Sequence, residues 1–128
     1  MSASSYRVRT PPENWTVAHT PPAGTLATIA KAADPVNRHF CTGISATLAA
    51  GTTAQAAAAI LVLRDGASGA GTILWSKQVI LPTNGLWEVN ISGLNIPGTK
   101  NTAMTLEFTA AGAAGTFESV AMTGYDGL

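Results

Sequence analysis

From Gly24 onward the chain is written in period two: short runs that alternate apolar and polar residues, each closed by a turn cluster. Successive side chains of a strand point to opposite faces, so such runs read as half-buried strands rather than helices. In "AMTLEFT", Met104, Leu106 and Phe108 alternate with Thr105, Glu107 and Thr109. In "RHFCTGISATL", Phe40, Ile44 and Leu48 fall on one face and Cys41, Ser45 and Thr47 on the other. "TILWSKQVIL" puts Ile73, Trp75, Val79 and Leu81 together, with Lys77 interrupting. "AAILVLRDG" is apolar on both faces up to Arg64, as a central strand would be. "LWEVNISGLNI" alternates through Trp87, Val89 and Ile91 and restarts at Leu94 and Ile96, an odd step that calls for a bulge or break at Ser92-Gly93. "TFESVAMTGY" points Val120 and Met122 inward, whereas Leu26 and Ile29 of "TLATIAKAA" are out of strict phase.

Turn chemistry separates these runs. "DPVN", "RDGASGAG", "PTNG", "IPGTKN" and "AAGAAGT" are rich in Gly, Pro, Asn and Asp, and Asn84-Gly85 is a hairpin signal. Only "TTAQAAAAI" (52–60) favours helix, and it is short enough to be a crossing connection into the strand that ends at Arg64. About seven or eight strands result, enough for an all-β, antiparallel two-sheet sandwich in one domain.

Charged residues make up 11% of the chain, against about 25% in a typical soluble protein. A surface that poor in charge suits a subunit lodged against neighbours. Seven basic and seven acidic residues cancel, so there is no footprint for nucleic acid or anionic lipid. No apolar run approaches the roughly 20 residues needed to cross a bilayer. "MSASSYRVRT" lacks the apolar core of a signal peptide, so synthesis in a cytoplasm is expected. The single cysteine, Cys41, cannot form an internal disulfide and reads as a small hydrophobe in its strand.

No motif carries catalysis. "GASGAG" (66–71) leads into a strand, not the helix a phosphate loop needs, and reads as a flexible loop at one end of the sandwich, with Asp65 supporting its turn. His19 and His39 lack metal-site spacing, and Asp65 stands alone where calcium wants clustered carboxylates. Glu88 and Glu107 alternate with core residues and should face solvent or a neighbour. The expectation is therefore no enzyme, no metal and no cofactor. Trp75 and Trp87 sit at apolar phase; packed in the core they are structural, whereas exposed they would offer a sugar-stacking surface.

The leading segment differs. "TPPENWTVAHTPP" places Trp15 between two Thr-Pro-Pro joints, each stiff and extended. Residues 1–24 read as an extended Pro-rich N-terminal arm and 25–128 as the sandwich body. From Ser5 to Gly24 the arm would span roughly 60 Å at about 3.1 Å per residue. That exceeds the roughly 30–35 Å diameter of such a body. "YRVRT" alternates Tyr6 and Val8 with Arg7 and Arg9 and could add as a strand to another subunit. Tyr6, Arg7, Arg9, Pro11, Pro12, Trp15, Pro21 and Pro22 are the candidate partner contacts. The competing reading makes 6–19 the first strands of the same sandwich.

With the strands placed, "LRDGASGAGTILWS" (63–76), "SGLNIPGTKNTAMTLEFTAAG" (92–112) and "ESVAMTGYDGL" (118–128) resemble the small jelly-roll decoration or cement proteins of tailed-phage capsids. The resemblance covers most of the body and lies in its Ala-Thr-Gly-rich, charge-poor strands. It implies a jelly-roll-like sandwich, a place on the outer capsid surface of a virion, and binding to the major capsid protein and to sister copies. Phage fibre modules that bind receptors or glycans share this texture and form the alternative.

Overall fold

The computed structural model describes residues 14–51, 59–79 and 84–128. Among them are nine strands: β1 (Asn14–His19), β2 (Thr28–Lys31), β3 (Arg38–Ala49), β4 (Ala59–Asp65), β5 (Thr72–Val79), β6 (Leu86–Ile91), β7 (Ile96–Pro97), β8 (Met104–Phe108) and β9 (Phe117–Gly127). They build two antiparallel sheets. The first runs β1-β9-β3-β6, with the two-residue β7 also paired to β3; the second runs β2-β8-β4-β5.

This order follows from one long ribbon folded back on itself and rolled. Its rungs are β4 with β5, β3 with β6 and β7, β2 with β8, and β1 with β9. Rolling the ribbon adds β9 against β3 and β8 against β4. The result is a jelly roll, as expected from the sequence. The last rung of such a ribbon must be β1, and this moves the boundary of the arm. Residues 14–19 pair along their whole length with β9, from Asn14 opposite Tyr125 to His19 opposite Val120. The body therefore begins at Asn14, not at residue 25. The six residues of this strand contain no proline, keep their N–H groups and can complete a ladder.

The core lies between the sheets. Trp15, Ile44, Leu48, Val120 and Met122 from the first meet Leu61, Leu63, Met104, Leu106 and Phe108 from the second. Trp87 meets Phe108 edge-on across the gap, with ring centroids 6.2 Å apart. β4 is an interior strand with Leu61, Val62 and Leu63 all buried, as its two apolar faces require. Val120 and Met122 point inward as expected.

Phase departs from simple alternation in two places. β3 slips register between Cys41 and Gly43, so Thr42 is an extra residue and the inward set changes from His39 and Cys41 to Ile44, Ala46 and Leu48. Phe40 is thereby turned outward, where it stacks on Tyr125 at 4.8 Å. β6 ends at Ile91, Gly93 takes a positive φ of 75°, and Leu94 donates its N–H to the Thr42 carbonyl. The break expected at Ser92-Gly93 thus lies opposite the bulge. β4 and β5 slip between Leu63 and Arg64, which turns Ile73 out to 52% exposure instead of into the core.

Asn84 adopts the left-handed φ of a turn residue, 56°, but no hairpin follows. It lies on the crossing from β5 in one sheet to β6 in the other, and its N–H is held by the Gly51 carbonyl. Most of the Ala-rich connection, residues 52–58, lies outside the described residues.

Candidate functional site

The candidate partner contacts divide into three groups. Tyr6, Arg7, Arg9, Pro11 and Pro12 lie outside the described residues. Pro21 is buried and Pro22 is exposed, with the Pro22 carbonyl closing a turn to Thr25 N–H. Trp15 is not a contact for a partner. It is 7% exposed, on the inward face of β1, and its Nε1 donates to Asp126 Oδ1 at 2.8 Å. The cause is the alternation of Trp15, Val17 and His19 with Asn14, Thr16 and Ala18: once β1 joins the sheet, the first set turns inward. That alternation was visible in the sequence; the flanking prolines masked it.

Around Trp15 the structure gathers groups that the sequence holds far apart. His39 is buried, with Nδ1 2.5 Å from Asp126 Oδ1 and Nε2 2.7 Å from the Ala32 carbonyl. Its ring meets the Trp15 indole edge-on at 5.7 Å, and Lys31 Nζ lies 5.9 Å from the indole centroid. A cavity of about 310 Å³ opens beside them, lined by Lys31–Pro35, His39 and Asp126. Both ring nitrogens of His39 are engaged by oxygens of the protein, so this cluster ties β1, β3, β9 and the segment after β2 together. The carboxylate of Asp34 is occupied by the N–H groups of Val36 and Asn37, which hold its carboxyl below the usual range.

Glu107 corrects another expectation. It stands on the outward face of β8, yet it is 2% exposed. The loop after β4 folds over it: Arg64 Nε donates to Oε2 at 2.7 Å, Gly69 N–H at 2.9 Å, Ser68 Oγ bonds Oε1, and Thr28 Oγ1 donates at 2.9 Å. Burial alone would raise this carboxyl, but the hydrogen bonds from Ser68, Gly69, Arg64 and Thr28 outweigh it and hold the group below the usual range. The "GASGAG" stretch is therefore pinned to the outer face of the second sheet. Asp65, expected to brace its own turn, instead accepts from Thr99 N–H and Thr99 Oγ1 and holds the loop before β8.

Glu118, unremarked in the sequence, is buried at 1% exposure and accepts from Ala27 N–H at 2.9 Å. Burial pushes its carboxyl up to about 6, against the lowering effect of the Ala27 and Gly112 N–H groups. Cys41 is buried as expected, and burial pushes its thiol up to about 11. Among the described residues no group of three His, Cys, Asp or Glu side chains is placed to hold a metal ion. Trp75 and Trp87 are partly buried against the core rather than presented as a stacking surface.

The two outer sheet faces differ. That of the second sheet is covered in part by its own polar loop. That of the first is not covered by any described residue: across β6, β3 and β9 it presents four successive rows. These are Leu86, Ala49 and Phe117; Glu88, Thr47 and Ser119; Asn90, Ser45 and Ala121; and Gly43 with Thr123. Leu86 is 63% exposed and Phe117 55%, and Glu88 carries the only charge in the four rows. A groove of about 150 Å³ runs through the small-residue end, between Gly43, Asn90, Ser92 and Thr123.

No protein-family model matches the chain, and no curated protein matches it. Among solved structures, the chain is similar to one from Bacillus endospore appendages, described as a novel family of disulfide-linked pili. The two are 18% identical over 88% of this chain and 84% of that one, with a TM-score of 0.38.

Proposed function

We propose that this protein is a structural subunit of a virion, a decoration or cement protein on the outer capsid surface. In this reading it binds the major capsid protein and sister copies and stabilises the shell by adding interface area. The observation that carries the reading is the outer face of the β1-β9-β3-β6 sheet, uncovered among the described residues, with Leu86 and Phe117 exposed and one charge in four rows. Large exposed apolar side chains on a charge-poor face are the mark of a surface made to be covered. The resemblance of residues 63–76, 92–112 and 118–128 to capsid decoration proteins supplies the particular setting.

The arm keeps its assigned role in shortened form. Residues 1–13, with Tyr6, Arg7, Arg9, Pro11 and Pro12, precede β1 in the chain and engage the shell or a sister copy. The test is binding of purified chain to undecorated capsids, with and without residues 1–13. Co-sedimentation that weakens at least tenfold on deletion supports the reading. Affinity unchanged by deletion removes the arm from it, and no co-sedimentation by the full chain removes the capsid.

A further inference from the structure

We propose that the outer face of the β1-β9-β3-β6 sheet packs against the same face of a second copy. The twofold axis crosses the strands at the row of Val89, Ala46 and Val120. The inference rests on reading the chain as an assembly subunit, but on no capsid.

The register carries it. Two outward rows separate Leu86, Ala49 and Phe117 from Gly43 and Thr123, and the row of Ala46 lies midway between them. A twofold axis lying in the interface, at right angles to the strands, turns the sheet to face itself and reverses strand direction. Each strand then meets its own copy, and each row meets the row equally far on the other side of the axis. Phe117 therefore lands on Thr123 of the second copy, Ala49 on Gly43, and Leu86 on the end of β6 beside Ser92. The bulkiest row meets the smallest one, where the groove of about 150 Å³ lies. Gly43 keeps that groove open: a Cβ there would lie 2.7 Å from Thr123 Oγ1.

The same operation disposes of the one charge. Glu88 lies one row to one side of the axis and Asn90 one row to the other, on the same strand. Each Glu88 carboxylate thus faces the Asn90 side-chain amide of the second copy, and the two carboxylates stay apart. An isologous interface requires this reciprocity, residue for residue. Aligned face-to-face packing of twisted sheets, near 30°, accommodates the antiparallel strands.

Sedimentation equilibrium of the full chain tests the proposal without any shell present. The expected result is a monomer–dimer equilibrium whose dissociation constant rises at least tenfold with Phe117→Asp and with Thr123→Arg. Both sites are exposed in the monomer, so the fold should tolerate either change. A Phe117→Cys, Thr123→Cys double variant treated with a short bis-maleimide, which spans the about 10 Å between packed sheets, should give a dimer linked from 117 to 123, while neither single variant does. Within one copy these positions are six residues apart on a strand, about 20 Å, beyond the reach of that linker. Cys41 is sealed in the core and stays silent. A wild-type chain that remains monomeric overturns the proposal. So does a dimer that ignores both substitutions, or one in which positions 117 and 123 fail to join.

Discussion

The indole of Trp15 donates to the carboxylate of Asp126 at 2.8 Å, joining the first strand to the last across 111 residues of chain. The same oxygen of Asp126 receives His39, so the closing rung of the jelly roll is locked from inside. Trp15→Ala should cost about 3–5 kcal/mol, by cavity formation and loss of this bond. Urea unfolding measures it. Deleting residues 1–13 should change stability by no more than about 0.5 kcal/mol, because β1 is kept. Deleting residues 1–19 should lower it by more than Trp15→Ala does, because the edge of β9 is then also stripped. Equal stability of the two truncations would show that β1 contributes nothing to the body.

Gly124 lies opposite Trp15 in the β1–β9 ladder, and it is glycine for reasons of space. A Cβ at 124 would fall 2.2 Å from the Phe40 carbonyl oxygen and 2.4 Å from Trp15 Cζ2. The carbonyl is backbone and cannot swing away. Gly124→Ala should therefore destabilise by at least the 1–3 kcal/mol typical of overpacking. In a Trp15→Ala background the added cost should shrink without vanishing, because the carbonyl clash remains. A double-mutant cycle in urea reads the difference, and strict additivity would contradict the geometry.

Much of this fold was legible because period two survives wherever nothing covers a strand. The alternation of β8, the interior character of β4 and the break at Ser92-Gly93 could all be read directly. What pattern cannot supply is which loop lies on which face. Glu107 alternates outward and so promised solvent, but the loop carrying Ser68 and Gly69 closes over it, a long-range contact with no local signature. The bulge at Thr42 was equally hidden, because Phe40 and Cys41 are both apolar enough to face inward and the sequence does not choose between them. Asn84-Gly85 encodes a turn and says nothing about whether the two strands share a sheet. For the arm, the prolines pointed to stiff joints, but six of the residues between them form a strand. The apolar row of Leu86, Ala49 and Phe117 is drawn from three strands and exists only once register is known.

Glu107 fastens a loop, so its removal should be felt there first. Glu107→Ala leaves Arg64 without its carboxylate partner and frees the Gly69 N–H. Breaking such a pair on one side costs about 3–5 kcal/mol where both groups are buried, and here the 13% exposure of Arg64 makes the lower figure the expected one. Hydrogen exchange at Gly69 and protease cleavage within 66–71 should accelerate at temperatures where the body is still folded. A loop that stays protected in the variant would mean that the bonds at its ends hold it: Thr105 Oγ1 and Arg64 Nη1 donating to the Gly66 and Gly71 carbonyls, and Gly66 N–H to the Ala103 carbonyl.

Two buried carboxyls make stability depend on pH in opposite senses. Glu107 is held below its usual range, so the folded state binds fewer protons at that site than the unfolded chain does. Its contribution is complete above the ordinary carboxylate range and is lost as pH falls through its folded value. Glu118 is raised to about 6, so the folded state holds its proton more tightly than the unfolded chain. Its contribution is complete below the unfolded value of about 4.3 and is lost as pH rises to about 6, on the order of 2 kcal/mol in all. Glu118→Gln should abolish that loss while keeping an oxygen for the Ala27 N–H. The stability difference, variant minus wild type, should therefore grow from pH 4.5 to pH 7 by that amount. Glu107→Gln should lower stability most at neutral pH, and its difference from wild type should narrow below pH 4. Urea unfolding at half-unit intervals of pH measures both curves. A Glu118→Gln difference that stays flat from pH 4.5 to pH 7 would mean that its carboxyl titrates alike in folded and unfolded chains.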